Sequence, residues 1–160
     1  MLKNFFPNKI LSIDSRFINS LIIFMILIIF LGLTYSLFIS PEDYVQGDSV
    51  RIMYVHVPSS FMALGIFALI GTGSILNLIF KIKLMPLITK SLAPIGTIFT
   101  LISIVTGSLW GKPTWGIWWV WDARLTSMLI LLFFYLAYIL AWKFFENFEK
   151  ANKISSIIGI

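Results

Sequence analysis

Five of the six tryptophans of this 160-residue sequence lie between Trp110 and Trp121, in a run that reads Trp-Gly-Lys-Pro-Thr-Trp-Gly-Ile-Trp-Trp-Val-Trp-Asp-Ala-Arg-Leu-Thr from Trp110 to Thr126. Indoles combine a flat apolar ring with one N–H donor. Such rings either anchor a chain in the headgroup zone of a bilayer or stack on a flat apolar ligand. An anchoring belt spreads its rings over both membrane surfaces, whereas these five share one segment. Its glycines and Pro113 would let that segment fold back as a platform for a planar ligand, and a porphyrin has that shape. Residue chemistry leaves belt and platform both open.

The only histidine is His56 and there are no cysteines. This excludes a disulfide framework, a thiolate metal site and a zinc site built from several histidines of these residues. A neutral imidazole can donate a lone pair to a metal while its other nitrogen is fixed by a hydrogen bond; it can equally be an ordinary hydrogen-bonded residue at a membrane edge. Asp122 precedes an apolar run and reads as a helix N-cap or a ligand contact. Arg124 would sit in the first turn of that helix, against the macrodipole, and calls for an anion: Asp122, a lipid phosphate or a ligand carboxylate. Arg51 and Lys112 are weaker candidates for the same electrostatic role, and Asp48 is a ready partner for Arg51.

The elements that position these residues must cross a membrane. Hydrophobic residues make up 59% of the sequence and charged residues 12%, with a mean hydropathy of +0.95; a soluble globule of this size needs a more polar surface. Four charge-free stretches are long enough to span as helices, at about 18–39, 57–80, 91–110 and 125–142, with Pro58 expected at a first helical position. The fold class is therefore all-α, a polytopic transmembrane bundle forming one membrane domain over about 1–160, with an outward loop at about 110–126. The polar tail after Lys143 reads as a solvated face, and its last residues, from Ile154, resemble the opening of a fifth span.

The N-terminus (Lys3, Lys9, Arg16), the second connection (Lys81, Lys83, Lys90) and the tail (Lys143, Lys150, Lys153) hold nine of the twelve basic residues. Basic residues stay on the cytoplasmic side, which predicts both termini inside, with His56 and the tryptophans sharing the outer face. The net charge of +5 is a topology signal, since no basic stripe suggests nucleic acid.

The run from Trp110 to Thr126 resembles the tryptophan-rich signature of heme-handling membrane proteins. Its continuation Asp-Ala-Arg-Leu-Thr-Ser, from Asp122 to Ser127, and the segment Tyr-Val-His-Val-Pro, from Tyr54 to Pro58, are similar to the heme exporter protein C family of cytochrome c maturation. That resemblance implies heme b bound non-covalently, with His56 as an axial ligand to iron. Trp110, Trp115, Trp118, Trp119 and Trp121 would shield the ring, and Asp122, Arg124 and Arg51 would lie around it, the two arginines facing propionates. It implies no catalysis, but export of heme to the periplasm and delivery to a periplasmic heme chaperone.

Further partners implied are ABC-type heme exporter subunits, a small single-span maturation subunit and the lipid bilayer. The location would be a bacterial inner membrane, or alternatively a mitochondrial inner membrane. Family members continue into further helices with a second axial histidine, so a short or truncated form is expected. Two other functions fit parts of the pattern: a cytochrome c heme lyase, or a structural subunit with an aromatic anchor.

Overall fold

The computed structural model describes residues 14–160; the topology signals Lys3 and Lys9 lie outside them. The chain divides into two compact units, Met1–Pro41 and Glu42–Ile160. In the first, Asp14 caps helix α1 (Ser15–Thr34) by accepting the Arg16 N–H, and a π turn, Tyr35–Ile39, follows. Its spanning segment, Ser15–Ile39, buries none of its residues within the molecule, as suits a helix that is apolar on every face.

The second unit holds α2 (Met53–Phe80), α3 (Met85–Trp115), α4 (Ala123–Phe144) and the short α5 (Phe148–Ile158). With α1 this gives four helices long and apolar enough to cross a membrane. No strand forms among the described residues. At about 46 Å, α3 is longer than the hydrocarbon core is thick, so its ends reach the headgroup zones or the helix tilts.

Small residues set the packing. The buried positions of α3 are Pro86, Thr89, Ala93, Gly96, Thr100, Ser103, Gly107 and Gly111, one residue per turn along a single seam. On α2 the buried face includes Ser59, Ala63, Gly73 and Ser74. Lipid is as apolar as leucine, so helices in a bilayer associate by close backbone approach and interhelical hydrogen bonds, and such seams supply both. The Tyr135 hydroxyl donates to the Ala63 carbonyl at 2.6 Å and the Tyr138 hydroxyl to Thr89 Oγ1 at 2.8 Å. Both tyrosines belong to the buried core with Ile66, Ile70 and Leu131.

Three expectations change. Pro58 lies inside α2, because a 3₁₀ turn, Asp48–Ile52, leads the chain into the helix five residues earlier. The 110–126 segment is not all loop. Its first six residues finish α3, residues 116–122 form the connection, and α4 begins at Ala123. Gly116 ends α3 at φ +80° with its N–H on the Lys112 carbonyl, a left-handed cap that glycine adopts without steric cost. Finally, the tail is not wholly solvated. Asn147 caps α5, whose Ala151, Ser155 and Ser156 are buried. The amide of Asn77, buried on apolar α2, donates to Asn152 Oδ1 at 2.9 Å and Ser156 Oγ at 3.1 Å, and this polar need holds α5 in place.

Candidate functional site

The start of α2, the end of α3 and the start of α4 meet at one end of the second unit. Between them lies a partly open cleft of about 330 Å³, whose lining includes His56, Ser60, Leu64, Ser103, Ile104, Gly107, Trp110, Trp115, Arg124, Leu125 and Met128. Of the residues singled out in the sequence, His56, Trp110, Trp115 and Arg124 share this cleft. Trp118, Trp119, Trp121, Asp122 and Arg51 stand outside its lining.

His56 is held in one tautomer. Its Nδ1 lies 3.0 Å from the Ser103 carbonyl oxygen and 3.1 Å from Thr106 Oγ1. A carbonyl can only accept, and the Thr106 hydroxyl spends its hydrogen on the Ile102 carbonyl at 2.7 Å. Both contacts therefore require the proton on Nδ1, which leaves Nε2 with an unshared lone pair. The seam makes room for the ring: a Cβ added at Gly107 would lie 3.0 Å from His56 Cε1. Ser60 locks the adjoining backbone, donating to the His56 carbonyl at 2.8 Å while its oxygen receives the Ser103 hydroxyl at 2.6 Å.

Two of the indoles lie beside this imidazole in the cleft. The Trp110 ring centroid is 6.4 Å from that of His56, and Trp115 packs edge-on against Trp110 at 5.9 Å. The Trp110 N–H donates to Gln46 Oε1 at 2.9 Å. Gln46 belongs to a tight turn closed by Asp43, whose carboxylate accepts the Gln46 and Val45 N–H groups at 2.8 and 2.9 Å. Those two bonds hold the Asp43 carboxyl below its ordinary range. Arg124 lies over the Trp115 face at 5.1 Å, a cation–π contact. In the connection, Trp119 and Trp121 meet edge to face at 5.5 Å. Trp121 is 76% exposed and Trp118 55%, so these rings form an apolar rim. Lys112 donates to the Gly116 carbonyl at 2.7 Å and sits 5.8 Å from the Trp118 ring centre.

Asp122 serves as cap and counter-ion together. One oxygen accepts the Leu125 N–H at 2.9 Å, and the other receives Nε and Nη2 of Arg124 at 3.0 and 2.7 Å. The Leu125 bond first, and the guanidinium second, hold its carboxyl below the ordinary carboxylate range. A carboxyl lowered by folding stabilises the fold above its ordinary value and loses that effect only as pH falls through the lowered one. Asp122→Ala is expected to lower the thermal midpoint at neutral pH by about 2–4 °C, whereas Asp122→Asn, which keeps the cap acceptor, loses less. The difference between the unmodified chain and Asp122→Ala should shrink as pH falls through the lowered value, because the charge is lost while a neutral cap acceptor remains. Arg51 pairs with Asp48 at 3.0 Å, as its sequence position suggested.

Ser60, Ser103, Thr106, Gly107 and Gln46 are site residues that the sequence reading missed. The spacing of Ser103, Gly107 and Gly111 at every fourth residue, ending beside Trp110, was the one available signal.

Among the described residues no group of three or more histidine, cysteine or acidic side chains could hold a bare metal ion. A solitary imidazole lone pair amid indoles instead suits a metal that carries most of its own ligands in a flat frame. The fold and site thus define a polytopic membrane protein with an aromatic cleft that contains its one histidine. Comparison with known sequences gives the family: the model described as "CcmC: Heme exporter protein C" matches residues 2–160, and the chain belongs to that family.

The chain is 41% identical to heme exporter protein C of Escherichia coli over 152 residues, covering 95% of this chain and 62% of that protein. Heme exporter protein C of Haemophilus influenzae is 43% identical over 129 residues, covering 81% and 52%. That of Paracoccus denitrificans is 43% identical over 127 residues, covering 79% and 52%. The chain thus spans about half to three-fifths of the length of these relatives.

Proposed function

We propose that this chain handles heme b, held non-covalently, for export to the periplasm and c-type cytochrome assembly, as the name of its relatives suggests. His56 Nε2 would donate to the iron while Trp110 and Trp115 lie along the ring. Trp118, Trp119 and Trp121 would cover an exposed edge, and Arg124, set by Asp122, would face a propionate. Arg51, paired with Asp48 and outside the cleft lining, has a weaker claim to a second propionate. The observation that carries this reading is the tautomer of His56, which leaves one unshared lone pair in an aromatic cleft.

In this proposal the tryptophan end faces the periplasm of a bacterial inner membrane, with both termini cytoplasmic. The cargo passes to a periplasmic heme chaperone, and ABC-type heme exporter subunits with a small single-span subunit complete the system. The chain itself transports and presents heme and performs no catalysis on it.

The test is the visible absorption spectrum of the full chain purified in detergent from heme-replete membranes. Replacing Trp110 and Trp115 together by alanine should abolish the Soret band. Replacing Trp118, Trp119 and Trp121 together should weaken retention while keeping the iron ligation of whatever heme remains. Absence of any Soret band in the unmodified chain, before and after heme addition, would sink the proposal.

A further inference from the structure

At the end of the second unit opposite the tryptophans, a second cleft of about 520 Å³ lies between α2, the α2–α3 connection and α5. Lys81, Lys83 and Lys153 line it together with Glu149, so its charged lining carries a formal charge of +2. Leu78, Pro86 and Phe148 supply apolar walls, and Asn77 and Asn152 form a hydrogen-bonded polar floor. Leu78, Ile79, Phe80 and Phe148 are exposed beside it.

Two spanning helices end here. The cleft therefore lies where a hydrocarbon core gives way to headgroups, with apolar side chains toward the span and ammonium groups in the connection. We propose that it binds an anionic phospholipid, its phosphate taken by Lys81, Lys83 and Lys153 and its acyl chains lying along Leu78 and Phe148. A free phosphate ion would share the cation chemistry but leave the apolar wall without a role. Basic pockets between spanning helices suit such headgroups because each lysine near a membrane surface adds to the attraction for anionic lipid. An anionic lipid here would bridge α2 and α5, two elements joined by the Asn77 hydrogen bonds to Asn152 and Ser156.

Native mass spectrometry of the full chain in detergent, offered equal amounts of phosphatidylglycerol and phosphatidylcholine, tests this. The unmodified chain should retain phosphatidylglycerol in preference. Changing Lys81, Lys83 and Lys153 together to glutamine should lower that retention by about tenfold or more. Changing Lys90, Lys143 and Lys150 together removes the same charge from the same end but outside the cleft, and should leave the preference within about twofold.

Equal losses in the two triple variants would mean diffuse attraction and overturn the site. No preference for phosphatidylglycerol would overturn it as well. Displacement of the lipid by millimolar inorganic phosphate would reassign the cleft to a free anion. Unchanged lipid retention in the cleft variant, with loss of a copurifying protein, would reassign it to a protein partner.

Discussion

His56→Ala is expected to lower the heme retained by the purified chain by about 10–100-fold, and to remove the histidine-ligated signature from whatever remains. The lower bound follows from second-shell changes, which cost that much in metal affinity while leaving the ligand itself in place. The fold should survive, because the ring is only half buried and stands in the first turn of α2. Gly107→Ala offers an independent check. Its added methyl would press on the imidazole at 3.0 Å, altering ligation while keeping every ligating atom. Unchanged spectra in both variants would show that the heme, if bound, lies elsewhere.

The largest expected effect on stability is at Gly96. A Cβ there would clash with the hydroxyl end of the Tyr135 ring, which is fully buried, with its hydroxyl bonded to the Ala63 carbonyl at 2.6 Å. Gly96→Ala must push that ring away. Overpacking costs about 1–3 kcal/mol, and a hydroxyl torn from its acceptor adds about 1–3 kcal/mol. Thermal unfolding in detergent should show a large drop or no folded fraction. Gly65→Ala serves as control, because a Cβ at Gly65 meets nothing within 4 Å, and the midpoint should hold or rise slightly. A stable Gly96→Ala chain would mean that α3 and α4 can slide apart without cost.

The spans were legible because charge-free stretches about 20 residues long leave a chain few alternatives in water. The residues with distinctive chemistry, His56, Trp110, Trp115 and Arg124, could also be picked out, since few other side chains compete with them. Helix ends were harder. Pro58 suggests a start, but a preceding 3₁₀ turn moved the start to Met53, and Pro113 suggests a loop where α3 continues to Trp115.

The groups that orient His56 were least visible. Ser103, Thr106 and Gly107 are unremarkable within an apolar run until a neighbouring helix supplies the face they serve. The same holds for Tyr135 and Tyr138, which sit in an apolar run with no visible partner until Ala63 and Thr89 stand opposite. In α5, Asn152 looks solvated until the buried Asn77 appears as its partner.

The pairing of Arg124 with Asp122 sets the terms on which any anion is received. An arriving carboxylate meets a guanidinium that is already neutralised, so its gain is the difference between two similar bonds. Asp122 keeps its other oxygen on the Leu125 N–H, so it stays nearby and can reclaim the arginine when the visitor leaves. Exchange of this kind holds loosely and reverses readily. Under the proposed function that property suits a carrier, whose task ends only when the load has been surrendered.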